Sequence, residues 1–91
     1  MDNRTLLNQL RGLILSKNNH QAIDPDKSKT ISEEIFYLTN NYVSTATVQR
    51  FFEIQEMGAL PSRFVLNAMC QYIGYLDWND FVKYTSQSSK S

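Results

Sequence analysis

Val43 to Gly74 reads VSTATVQRFFEIQEMGALPSRFVLNAMCQYIG, and its apolar residues recur every three or four positions rather than every two. That period belongs to helices with one buried face and excludes a half-buried strand. Ser44 is a good N-cap, because its hydroxyl can accept from a free amide of the first turn. Val48, Phe51 and Phe52 then fall on one face. Gly58 suits the left-handed residue that ends a helix, and Pro61 and Ser62 punctuate a restart. Leu66, Met69, Cys70 and Ile73 repeat at helical spacing up to Gly74, the next stop. The stretch therefore predicts two short amphipathic helices joined by a Gly/Pro connection.

The same period runs through the flanks. Leu6, Leu7, Leu10, Leu13 and Ile14 form a stripe that predicts a helix over 3–17, with Arg4, Asn8, Gln9 and Arg11 on its polar side. HQAIDPDKSK, residues 20–29, is polar and reads as a loop, with His20, the only histidine, placed in it. DPDKSKTISEE has the early oxygen ligands of a calcium loop at Asp24, Asp26 and Ser28. Lys29 stands where the turn needs glycine, however, and Ile35 where the bidentate glutamate belongs, so calcium binding is not expected. Thr30 with Glu33 three residues on instead reads as a capping box opening a helix over about 31–40. Ile31, Ile35 and Leu38 mark its buried face and Phe36 widens it. Asn40 and Asn41 supply turn residues before Ser44. Near the end, Asp77 and Asp80 make a carboxylate version of the capping box, and Trp78, Phe81 and Val82 share a face over about 78–85. No segment alternates as a strand with hairpin turns does. The expected fold is all-α: a compact five-helix bundle with a helix-turn-helix-like centre. Its anchors are Leu10, Ile14, Ile35, Leu38, Val48, Phe51, Phe52, Leu66, Met69, Ile73, Trp78 and Phe81. Residues 1–85 form the single domain, and 86–91 read as a disordered tail or the start of a linker.

Chemistry is constrained mainly by what the residues do not assemble. The chain has 91 residues and one cysteine, so an internal disulfide is ruled out and a reducing, cytoplasmic location is expected. Cys70 lies on an apolar helix face, where a thiol packs as a small hydrophobe. There is no Cys/His metal spacing, no glycine-rich phosphate loop and no nucleophile beside a base, so no metal, cofactor or enzymatic activity is expected. No apolar run approaches the ~20 residues of a membrane span. Nine basic and nine acidic side chains cancel, so the charge does not advertise a nucleic-acid partner. The outward positions of the third helix nonetheless suit DNA. Ser44, Thr45, Ala46, Gln49 and Arg50 fall there; Gln can pair with adenine and Arg with guanine. Lys27, Lys29, Arg50 and Arg63 are the cations that could clamp phosphates, while Glu53 and Glu56 oppose them. The alternative is a protein-docking or self-associating module, such as a homodimer, with Phe64, Tyr72 and Tyr84 as exposed candidates.

A resemblance adds to this. VSTATVQRF followed by LPSRFVLNAMCQYIGY resembles the second half of a helix-turn-helix domain of the phage-repressor type. There a capped recognition helix precedes a Pro-Ser start and a helix patterned like Leu66, Met69, Cys70, Ile73 and Gly74. ISEEI, residues 31–35, resembles the opening of that family's second helix. A closer likeness is to poorly characterised bacterial N-terminal helical domains. Their first motif is matched by Thr39, Asn40, Tyr42, Val43, Ser44, Thr47, Val48 and Arg50. Their Gly-Tyr-x-x-Trp-x-x-Phe motif is matched by Gly74, Tyr75, Trp78 and Phe81. The likeness covers about residues 30–82. It implies the N-terminal DNA-binding part of a larger bacterial transcription regulator.

Overall fold

The computed structural model describes residues 3–19, 23–53 and 61–88. These hold five helices and no strand: α1 (Asn3–Lys17), α2 (Pro25–Thr39), α3 (Thr45–Glu53), α4 (Arg63–Tyr72) and α5 (Trp78–Ser88). The expected all-α, five-helix architecture is what the chain adopts. His20, Gly58 and Glu56 lie outside the described residues. α2 packs against α3 and α4, and α4 also packs against α1 and α5. The Cα radius of gyration, 12.4 Å, matches the ~12 Å of a single compact body of this length.

The helices α2 to α5 each start where a side chain takes up a free amide. The Ser44 hydroxyl accepts from the Thr47 amide at 3.1 Å, and the Ser62 hydroxyl from the Val65 amide at 3.3 Å. Asp77 Oδ1 accepts from the Asp80 amide at 2.8 Å, while Asp80 Oδ2 accepts from the Leu76 amide at 3.1 Å. This is a reciprocal box whose return arm reaches the residue before the cap. α5 runs to Ser88, three residues past its expected end.

α2 departs most from the sequence reading. It begins at Pro25 rather than near Ile31, because Asp24 is the cap: its Oδ1 accepts from the Lys27 amide at 2.8 Å. Pro25 suits the first helical position, where no amide is needed and φ is already right. Thr30 is therefore inside the helix, its hydroxyl bonded to the Asp26 carbonyl at 3.2 Å, and the expected Thr30 capping box does not form. The Lys27 amide, the strongest influence, and then the Lys27 charge hold the Asp24 carboxyl below its ordinary range. The helix ends at Asn40, whose φ of 60° is the left-handed region, and whose amide donates to the Phe36 carbonyl.

The core joins Leu6, Leu7, Leu10 and Ile14 of α1 to Ile31 and Ile35 of α2. Val43, Val48, Phe51 and Phe52 in and before α3, Leu66, Ala68, Met69, Cys70 and Tyr72 of α4, and Trp78 and Phe81 of α5 complete it. Ile73 is half-buried against this cluster. Leu38 is not an anchor: it is 55% exposed, and Phe36, expected to widen the buried face, is exposed too. The cause is the burial of Ser28 and Ser32 beside Ile31 and Ile35. At 100° per residue this turns the middle of the buried face roughly 70° from Leu38 and roughly 90° from Phe36. Leu13 of α1 is also exposed, at the margin of its stripe.

Two outcomes follow for stability. Trp78→Ala should cost about 3–5 kcal/mol in urea unfolding, whereas Leu38→Ala should stay within about 1 kcal/mol. Burial, then the charges of Asp77 and Asp80, pushes the Cys70 thiol up to about 12. A raised folded value means that stability is complete below the unfolded thiol's pKa of about 8.5 and is lost as the pH rises from there. Urea midpoints measured between pH 7 and 11 should fall more steeply for the native chain than for Cys70→Ala. Equal slopes would contradict the buried thiol.

Candidate nucleic-acid interface

α3 is held against α2 by two hydroxyls set one turn apart. Ser28 Oγ donates to Gln49 Oε1 at 2.5 Å, and Ser32 Oγ donates to the Val43 carbonyl. Both serines are buried, and a buried hydroxyl is costly unless bonded. The pair therefore fixes how α2 is rotated against α3, beyond what apolar contact specifies. The far end of α3 is held by α1. Arg11 Nε donates to the Phe51 carbonyl at 2.8 Å, and its guanidinium lies 5.2 Å from the centre of the Phe51 ring. A cation suits this place, since carbonyls near a helix C-terminus carry partial negative charge. Burial holds the Arg11 pKa below its ordinary value.

With Val48, Phe51 and Phe52 turned inward, the opposite ridge of α3 is Ala46, Arg50 and Glu53, all exposed. Thr45 is half-buried, and so is Ser44, whose hydroxyl also bonds the Thr47 hydroxyl at 2.9 Å. Gln49 is half-buried with both ends of its amide engaged. Its oxygen accepts from Ser28, and its nitrogen donates to Glu53 Oε2 at 2.6 Å. A side chain expected to read adenine is thus part of the frame. Among the described residues, nothing engages the Arg50 guanidinium. Of the other cations, Lys27 pairs with Asp24 at 3.7 Å, Lys29 is exposed, and Arg63 donates to Asn79 Oδ1 at 3.1 Å on the α4–α5 side. The four cations therefore do not form one patch on α3.

The docking candidates separate. Phe64 and Tyr84 are exposed, at 53% and 59%. Tyr72 is not: it is 3% exposed. Its hydroxyl donates to Glu34 Oε1 and accepts from Asn18 Nδ2 at 3.0 Å, while Lys17 Nζ sits 5.2 Å from its ring centre. Tyr72 falls three residues after Met69 on the buried side of α4, and its phenol finds polar partners there. Burial, followed by the hydrogen bond to Glu34, holds its proton well above the ordinary tyrosine range.

The larger exposed apolar stretch was missed by the sequence reading. Phe36, Tyr37, Leu38 and Tyr42 are all exposed, and residues 35–49 carry no charged side chain. Arg11 and the two serines were missed as well. The serines become legible once α2 is started at Asp24, because Ser28 and Ser32 then lie one turn apart beside Ile31 and Ile35. Among the described residues, no group of three His, Cys, Asp or Glu could hold a metal ion, and no helix is long and apolar enough to cross a membrane.

Replacing Arg11 by Met keeps the stem and removes the donor to Phe51. A hydrogen bond from a charged group contributes about 1.5–3 kcal/mol. Arg11→Met should lower stability by about that much and reduce hydrogen-exchange protection in α3 more than in α5. Unchanged protection in α3 would show that the guanidinium does not hold it. In comparisons with known proteins, no family model, curated protein or solved structure matches the chain.

Proposed function

We propose that the chain is a non-enzymatic, helix-turn-helix-like module that binds double-stranded DNA through the outward ridge of α3, as part of a bacterial transcription regulator acting in the cytoplasm. One observation carries the reading. α3 is clamped at its start by Ser32, in its middle by Ser28 and near its end by Arg11, while Ala46 and Arg50 stay exposed. In a helix-turn-helix the later helix enters the major groove, and its early residues meet base edges. Such a helix must be held by a rigid frame, because loosely held side chains read poorly. Small residues at its start, here Thr45 and Ala46, allow close approach. Asn40, Asn41, Tyr42 and Thr45 are neutral donors of the kinds that bond phosphate oxygens.

A second reading rests on the exposed, uncharged stretch containing Phe36, Tyr37, Leu38 and Tyr42. Large apolar groups in such a stretch suit docking of a protein partner or a second copy.

Fluorescence anisotropy with a labelled 20-base-pair duplex separates the two. Binding should be measurable at low salt and weaken as salt rises. With four candidate cations, the slope of log K against log salt should be no steeper than about −4. Arg50→Ala should weaken binding at low salt. Absence of binding to any duplex at low salt would contradict the DNA reading. If sedimentation then showed concentration-dependent association, the apolar stretch would become the functional surface.

A further inference from the structure

We infer that, of the two α3 side chains able to read a base bidentately, Arg50 recognises guanine and Gln49 does not read a base. This rests on the DNA-binding reading above and narrows it to a base and a residue. Both side chains lie on the outer half of α3, and residue type alone favours Gln49, whose amide matches adenine bidentately. The geometry reverses that choice. To read adenine, Gln49 must offer both a donor and an acceptor. Its acceptor holds the buried Ser28 hydroxyl at 2.5 Å, and its donor holds Glu53 Oε2 at 2.6 Å. Turning the amide outward would leave the Ser28 hydroxyl buried without its partner, which is costly.

Arg50 has no such duty. It is exposed, and among the described residues nothing engages its guanidinium. Ala46, one turn earlier on the same ridge, carries only a methyl group and leaves room beside it. A guanidinium offers two parallel donors, which match the O6 and N7 acceptors of guanine in the major groove. The Glu53 carboxylate, held by Gln49, stands one turn further along and discourages a phosphate there.

The test is selection from a duplex pool with a randomised centre, followed by affinities for the enriched site and its single-base variants. Wild type should enrich a site with a fixed G·C pair, and changing that pair to A·T should weaken binding about tenfold. Arg50→Lys keeps the charge and loses the fork. It should lose most of that discrimination while binding an unselected duplex within about twofold of wild type. Its melting temperature, checked alongside, should be unchanged. Gln49→Ala should leave the preferred bases as they are and alter no adenine position. An adenine preference that disappears in Gln49→Ala, or a guanine preference that survives Arg50→Lys, would overturn the inference. Equal binding to all duplexes would overturn it and leave DNA binding standing, whereas no binding to any duplex would remove both.

Discussion

Two buried serine hydroxyls on α2 set the arrangement on which the rest depends. Hydrophobic contact has no direction, so Ile31, Ile35, Val48, Phe51 and Phe52 could be buried together over a range of helix rotations. Ser28 and Ser32 narrow that range, because each hydroxyl needs a partner once it leaves water. Ser32 finds it in the Val43 carbonyl, just before α3 begins, and Ser28 finds it in the side chain of Gln49. Small side chains at these positions also let α2 and α3 approach closely. The outward direction of Ala46 and Arg50 is a consequence of both effects.

The other helices tie this pair into one body by further polar contacts at the edge of the core. Arg11 reaches from α1 to the Phe51 carbonyl near the end of α3. Tyr72 of α4 meets Glu34 of α2 and Asn18 just after α1. Asn41, between α2 and α3, donates to Gln71 Oε1 of α4 at 2.8 Å. Each contact joins segments distant in sequence, and each is directional. Together they make α3 a held edge rather than a helix resting on an apolar surface, which is the physical basis for treating it as a recognition element.

Much of the helix layout was legible from apolar spacing. The bounds of α1, the Ser44 start of α3, the Ser62 start of α4 and the Asp77 start of α5 all follow from period and capping chemistry. α2 was harder, because its first turn is polar: Asp24 and Pro25 are a start signal, but the following Asp26, Lys27 and Lys29 look like loop. That misplacement hid Ser28 and Ser32 and made Leu38 look inward. Tyr72 shows the same limit from the other side. A tyrosine at a core position is counted as surface unless its polar partners are known, and Asn18 and Glu34 come from other elements. The candidate site was legible as a helix face but not as working side chains, since only the fold shows that Gln49 is already bonded and that, among the described residues, Arg50 is not.

The claim that α3 presents its outer ridge to DNA is tested most directly by titrating isotope-labelled protein with duplex and mapping amide shifts by NMR. The account predicts that the largest shifts cluster at Thr45, Ala46, Gln49 and Arg50, with those of α5 little changed. Shifts centred on α5, or spread evenly over the surface, would contradict it.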